Sequence, residues 1–282
     1  MLNNFTLLVS IYKKNNIIEI IKLIKSIKSQ TLYPAEIIFI YDGHVSQEIH
    51  KFVEKLKNVK IIRNKKNKGL GYSLRKGVIS SKYSAIIRCD ADDINLSSRF
   101  ETLYKTFIRH GNLDVIGSLQ QETYHYNHYI RSVPESDTKI KKILSFRNCI
   151  NHPTVLLSKK TVIKSGNYEN VGKYLNCNNF EDYYLWLKMR KINANFKNYQ
   201  KILIRSHVDK KFFERRNSAE LKENYKLFLK KCYKNKLLSK YEVWINYIIR
   251  TTIYKLPIKY FIYFVIYFLR VKIRPKVINI KI

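Results

Sequence analysis

Three acidic sites interrupt a chain that is otherwise overwhelmingly basic, with 54 Lys plus Arg against 21 Asp plus Glu and a formal charge of +33. Asp42 stands in Tyr-Asp-Gly, Asp90, Asp92 and Asp93 in Cys-Asp-Ala-Asp-Asp, and Glu181 and Asp182 in Phe-Glu-Asp-Tyr-Tyr-Leu-Trp-Leu. Carboxylates gathered in this way are hard oxygen donors, which suit Mg²⁺ or Mn²⁺ bridged to a diphosphate. An Asp-x-Asp at the end of a strand holds one carboxylate on the metal and leaves the other to accept ribose hydroxyls. The competing reading is a solvated acidic turn in which Asp93 caps a helix. By spacing, Asp182, Leu185, Trp186 and Met189 share one helical face, which turns Asp182 toward a buried cleft. An acid that merely favours the helix macrodipole is the alternative for that pair.

The elements that must carry these residues alternate. Residues 5–11 form a short apolar run, as expected for a strand covered on both faces. Ile17, Ile20, Ile21, Ile24 and Ile27 recur at helical spacing, with Lys22, Lys25 and Lys28 on the outer face. Strands are expected at residues 35–41, 59–63 and 84–89, and helices at 46–56, with Ser46 as N-cap, and 70–80. Such alternation predicts an α/β fold, a doubly wound, mainly parallel sheet flanked by helices. Ligands of these sheets sit beyond the carboxyl ends of the strands, here after Ile11, Tyr41 and Cys89. Two strands with a turn near Asn127 are expected within residues 113–131. Helices follow at 136–146 and 179–191, and a strand at 196–204. From about Asn217 the pattern is helical, which puts a boundary near residue 210 between a domain over 1–210 and a helical extension over 211–282.

Composition narrows the classes. With 45% hydrophobic and 13% aromatic residues the chain can bury a core, and eight Gly and five Pro exclude collagen-like and low-complexity sequences. Cys89, Cys149, Cys177 and Cys232 form no C-x-x-C pair, which argues against a zinc ribbon or a thioredoxin-type site. Scattered thiols suit a reducing compartment. Residues 1–9 read as too short and too uncharged for a secretory signal. The basic charge is spread along a Lys-, Asn- and Ile-rich chain, so it is weak evidence for a polyanionic partner.

Eight segments in order carry a resemblance. They are Val9-Ser-Ile-Tyr-Lys-Lys14, Ser29-Gln-Thr-Leu-Tyr-Pro34, Asp42-Gly43, Asn67-Lys-Gly-Leu-Gly71, Arg88-Cys-Asp-Ala-Asp-Asp93, Arg99-Phe-Glu101, Asn151-His-Pro-Thr-Val155 and Glu181-Asp182. Over roughly residues 5–205 the sequence resembles glycosyltransferase family 2 enzymes of GT-A fold. It is most similar to the branch that builds bacterial capsule, exopolysaccharide and lipopolysaccharide repeats, of the amylovoran-transferase type.

The resemblance implies roles residue by residue. Ser10, Tyr12 and Asp42 are expected at the base and ribose of a nucleotide-sugar donor, with Asp42 accepting from a uracil. Lys68 is expected toward the diphosphate, or simply solvated. Asp90 and Asp92 match the Asp-x-Asp motif, with Asp92 as ligand of Mn²⁺ or Mg²⁺, while Arg88 pairs with a carboxylate or with the donor. Glu181 and Asp182 match a catalytic pair, with Asp182 as the base that takes the proton of the acceptor hydroxyl. His207 is a further candidate metal ligand. Arg215 and Arg216 suit the phosphate of a lipid-pyrophosphate-linked saccharide acceptor, or equally a solvated helix start, and His152 is expected to line the acceptor side or to be a satisfied structural histidine.

Two other classes compete. A sugar-1-phosphate nucleotidyltransferase shares the sheet and the metal-binding Asp, yet its Gly-rich first turn is missing from Tyr-Lys-Lys-Asn-Asn. A nucleic-acid-binding protein fits the charge and the 22 Tyr, but no zinc finger, RRM signature or basic zipper is present, so no nucleic-acid partner is expected. The last segment, residues 241–282, has no acid after Glu242, and it sets a ten-residue apolar run, 260–269, among basic residues. Ten residues fall short of the roughly 20 needed to span a bilayer. The segment therefore reads as a peripheral attachment to an anionic membrane surface, on the cytoplasmic face of the inner membrane, the alternative being a helical pair that packs on the catalytic domain with its charges in water.

Overall fold

The computed structural model describes residues 3–124, 127–175, 179–208 and 218–255. Arg215 and Arg216, Cys177 and residues 256–282 lie outside the described residues. Nine strands form one sheet in the order β3-β2-β1-β4-β8-β6-β9-β5, with β7 paired to β6. β1 (Phe5–Tyr12), β2 (Glu36–Asp42), β3 (Val59–Asn64) and β4 (Ala85–Asp90) run parallel, as the alternating pattern predicts. Beyond β4 the sheet is mixed. β8 (Leu156–Ser158) joins antiparallel to β4 and to β6 (Val115–Tyr124), while β9 (Phe196–His207) lies parallel to β6. The two-residue β5 (Ile94–Asn95) pairs antiparallel with β9, and β7 (Asn127–Arg131) completes a hairpin with β6.

Local chemistry accounts for the helix limits. α1 (Ile17–Lys28) starts in a capping box, Asn16 accepting from Glu19 N at 2.9 Å and Glu19 accepting from Asn16 N at 3.2 Å. α2 (Gln47–Val53) has the expected Ser46 cap but stops three residues short of position 56. α3 (Leu70–Ser80) has the expected bounds. α4 (Arg99–His110) ends at Gly111 in left-handed conformation, φ 61°. α5 (Asp137–Leu144), α6 (Lys159–Lys164) and α7 (Glu181–Lys191) follow, then α8 (Ala219–Lys234) and α9 (Lys240–Lys255).

Period-two alternation splits the central strands between two cores. Leu8, Ile38, Ile40 and Ile86 face one side, and Leu7, Val9, Ile37, Phe39 and Ile87 the other. The first core continues past residue 210. Phe228 of α8 is fully buried and stacks on Tyr183 of α7, with ring centroids 4.9 Å apart, and Leu221, Leu229 and Cys232 join it. Glu169 clamps the same seam, receiving Lys188 at 3.0 Å and Lys231 at 2.6 Å. The first part of the C-terminal extension is thus built into the body of the domain.

Candidate active site

Strand register assembles the nucleotide end of the cleft. Ser10 lies opposite Asp90, and Tyr12 opposite Asp42, at the carboxyl ends of three adjacent parallel strands. Asp42 is buried, and its oxygens point inward. Oδ1 accepts from Asn64 Nδ2 at 2.9 Å and from Lys68 N at 2.8 Å, and Oδ2 accepts from Gly69 N at 2.8 Å. In this structure Asp42 shapes the loop after β3, whereas the sequence placed it against a base.

Gly69, which ends that loop, and Gly71, in the first turn of α3, have separate reasons. Gly69 takes φ +88°, which favours a residue without Cβ. A Cβ on Gly71 would stand 2.7 Å from the Glu169 carbonyl carbon and 2.8 Å from Asn170 N, so the 169–170 backbone needs a glycine there. Lys68 Nζ lies 5.9 Å from the centre of the Tyr72 ring.

Arg88 organises the acidic turn. It is 2% exposed, and both terminal guanidinium nitrogens reach Asp90, Nη1 donating to Oδ2 at 2.9 Å and Nη2 to Oδ1. Its pairing with a carboxylate is therefore settled. Burial opposes the Arg88 charge, but Asp90, Asp93 and Glu181 all support it. Asp93 is buried and accepts from Ser206 Oγ of β9, with its other oxygen unpartnered in the structure. Burial and the neighbouring aspartates push its pKa well up. Asp92 is solvent-exposed within the crowded turn, and desolvation together with Asp90 pushes it up to about 6. Behind the turn, fully buried Arg99 donates to Arg88 O at 2.7 Å and to Pro153 O at 2.8 Å, tying β4 to the 3₁₀ turn His152–Thr154.

The catalytic-pair residues open α7 after Phe180, whose φ is +55°. Leu185, Trp186 and Met189 are fully buried, as their shared face requires, but Asp182 itself is partly exposed and Glu181 is the deeper of the two. Asp182 Oδ2 accepts from Asn148 Nδ2 at 2.7 Å and Oδ1 from Tyr183 N at 2.7 Å. Burial raises the pKa of both carboxyls, and Asp182 adds to the rise in Glu181, which is pushed up to about 7. The two hydrogen bonds, Arg131 and Arg88 work against the rise in Asp182. The two environments differ: Asp182 has a hydrogen-bond donor on each oxygen, and Glu181 is the more deeply buried.

His152 is buried, its Nε2 2.9 Å from Tyr168 Oη and its ring edge-on to Trp186. Burial and Arg88 drive its pKa well below the ordinary value, and the Tyr168 contact gives it the surroundings of a satisfied structural histidine. His207 ends β9, exposed and adjacent to Ser206. Among the described residues no three His, Cys, Asp or Glu side chains converge into a metal cage. Asp90 is committed to Arg88 and Asp93 is buried, which leaves Asp92 open. One free carboxylate beside mutually repelling aspartates fits a Mg²⁺ or Mn²⁺ whose other ligands are phosphate oxygens and water.

Residues 7–165 match the family model described as Glycosyl transferase family 2. The chain belongs to glycosyltransferase family 2. This transferase is 31% identical over 265 residues to the Escherichia coli UDP-Gal:alpha-D-GlcNAc-diphosphoundecaprenol beta-1,3-galactosyltransferase, covering 90% of this chain and 92% of that one. It is 28% identical to the amylovoran biosynthesis glycosyltransferase AmsE of Erwinia amylovora, covering 90% and 95%. The E. coli O-antigen biosynthesis glycosyltransferase WbnJ is also 28% identical, over 67% of this chain and 72% of its own. Among solved structures, S. aureus TarS 1-349 in complex with UDP-GlcNAc aligns with a TM-score of 0.56 at 17% identity, over 76% of this chain and 64% of that one. The transferase thus spans just under two thirds of the TarS chain, and the likeness establishes the GT-A fold.

Four residues of the site were not singled out by sequence: Asn148, Arg131, Ser206 and Tyr168. Each is a common polar residue placed by tertiary contact, Arg131 and Ser206 at the ends of strands β7 and β9 and Asn148 and Tyr168 in irregular segments. No local spacing marks them.

Proposed function

We propose that this protein is an inverting, metal-dependent glycosyltransferase that moves a sugar from a nucleotide-sugar, UDP-linked, to a lipid-pyrophosphate-linked saccharide in bacterial surface polysaccharide synthesis. The observation that carries the reading is the pairing of both terminal nitrogens of buried Arg88 with Asp90, opposite Ser10 at the strand ends, with Glu181 at the start of α7 among the acids that support the Arg88 charge. One charged cluster thereby joins the donor side of the cleft to the helix bearing the base. The printed name of the E. coli relative, a UDP-Gal transferase acting on a diphosphoundecaprenol acceptor, supports the choice of substrates.

In this reading Ser10, Tyr12 and the Asp42-held loop receive the nucleoside, and Lys68 lies beside it. Asp92 holds the Mn²⁺ or Mg²⁺, with His207 the nearby candidate for a second protein contact, and Asp90 stays on Arg88 within reach of the ribose. When bound, the metal offsets charge on the departing diphosphate. Asp182, its two oxygens held by Asn148 and Tyr183 N, accepts the proton of the acceptor hydroxyl as its oxygen attacks the anomeric carbon. A single displacement from the opposite face turns an α-linked donor into a β-linked product. Positioned general-base catalysis supplies about 10²–10⁴-fold. Glu181, buried beneath, sets the local charge.

Attachment to an anionic membrane surface by residues 241–282 completes the reading. No described helix is long and apolar enough to cross a membrane. The described part, α9, exposes Tyr241, Trp244 and Ile249, and the segment has no acid after Glu242. The deciding experiment measures nucleoside-diphosphate release from a panel of nucleotide sugars with Mn²⁺ and with chelator. Metal-dependent release from one donor is expected. No turnover and no binding with any donor sinks the proposal.

A further inference from the structure

Arg131 stands on a sheet face that hydrogen bonds link both to the acidic turn and to the start of α7. On β7 it lies opposite Gln120 of β6, so the two side chains share a face. Glu122, two residues along, shares it too and lies opposite Ser206 of β9. Gln120 Nε2 donates to Ser206 Oγ at 2.6 Å, and Ser206 Oγ in turn donates to Asp93. This face is therefore tied to the acidic turn on one side. On the other side a single loop ties it to the base: Asn151 Nδ2 donates to Arg131 O at 3.1 Å, and Asn148 donates to Asp182 Oδ2 at 2.7 Å.

The two arginines of this region differ in what they have left to offer. Arg88 is buried, and its fork is spent on Asp90. Arg131 is one-third exposed, and its contact with Glu122 Oε1 is 3.5 Å, longer than the 2.7–2.9 Å or so of a charge-assisted hydrogen bond. Its guanidinium keeps donors for a second anion, and its charge already reaches Asp182. A planar fork of this kind matches a phosphate bidentately.

We infer that Arg131 binds the phosphate next to the sugar of a diphosphate-linked acceptor. The inference rests on the function proposed above and adds a residue and a ligand group to it. The attacked hydroxyl must approach Asp182, and the diphosphate on the same sugar lies one ring away from it. A cation whose charge reaches the base, and whose strand is tied to the same loop as the base, meets that group. The donor diphosphate is taken at Asp92.

The test compares two acceptors that share a sugar, one an alkyl diphosphate and the other a phosphate-free alkyl glycoside. With Arg131→Gln, KM for the diphosphate acceptor is expected to rise roughly 10–100-fold, with a much smaller rise for the glycoside. Arg131→Lys is expected to recover part of the loss. Glu122→Gln, which frees the guanidinium, is expected to lower KM for the diphosphate acceptor. An equal rise for both acceptors, or no rise for the diphosphate one, overturns the inference. A rise in donor KM instead assigns Arg131 to the nucleotide and also overturns it. If Arg131→Gln does not fold, Glu122→Gln decides, and an unchanged KM there counts against the inference. No transfer by the unaltered enzyme to either acceptor, with any donor, overturns the proposed function and this inference with it.

Discussion

The Asn148 side-chain amide donates to the Asp182 carboxylate at 2.7 Å, across 34 residues of sequence, and fixes one oxygen of the proposed base. The other oxygen is held by Tyr183 N. Asp182→Asn is expected to lower transfer by about 10²–10⁴-fold while donor affinity stays within a few-fold. Asn148→Ala removes a hydrogen bond to a charged group, worth roughly 1.5–3 kcal/mol, and is expected to reduce kcat more than it changes donor KM. Steady-state kinetics with calorimetric donor binding checks both. Near-normal rates in Asp182→Asn would move the base to Glu181.

Asp92 is the open carboxylate of the acidic turn, so Asp92→Ala is expected to weaken nucleotide-sugar binding in the presence of Mn²⁺. In chelator the variant and the parent should bind alike. A titration of donor affinity against Mn²⁺ concentration separates this from general damage to the cleft.

Burial of Glu181 gives a stability prediction with a definite sign. Its pKa is pushed from 4.5 up to about 7, so between those values the folded protein holds a proton that the unfolded chain releases. The stability it contributes is fully present below about pH 4.5 and is lost as pH rises through about 7. Glu181→Gln is expected to flatten that fall, leaving the variant the more stable of the two at pH 8. Thermal melts of both proteins from pH 5 to pH 8 read the difference.

Gly71→Ala drives a Cβ against the Glu169–Asn170 backbone. A loss of about 1–3 kcal/mol is expected, measured by denaturant unfolding. A variant as stable as the parent would mean that the 169–170 loop yields readily.

Surface attachment predicts flotation of the full chain with anionic liposomes at low salt and release at high salt, with no binding to neutral vesicles. Each basic residue near an anionic surface contributes about 1 kcal/mol. Salt-independent flotation would point to insertion instead.

Much of the scaffold was legible because it rests on local signals. Apolar runs and Ile spacing marked β1 to β4 and α1 to α3 within one to three residues, since parallel strands covered on both faces leave little else for those runs to do. The carboxylates were legible as exceptions to a basic composition. Their partners were not. Asn64, Asn148 and Ser206 act on acids 22, 34 and 113 residues away, and short β5 and β8 gain their strand character from pairing. Between the two readings that the sequence left open for His152, burial and the Tyr168 hydroxyl favour the satisfied structural histidine, a choice that only tertiary contact makes.

The burial of Phe228 between Tyr183 and Tyr225 makes α8 a mechanical neighbour of α7, whose first turn carries Asp182. Whatever grips the end of the chain pulls on a helix that is wedged against the one holding the base. A splice at residue 210 would cut through this wedge, so a chimera that exchanges the tail has to join after α9.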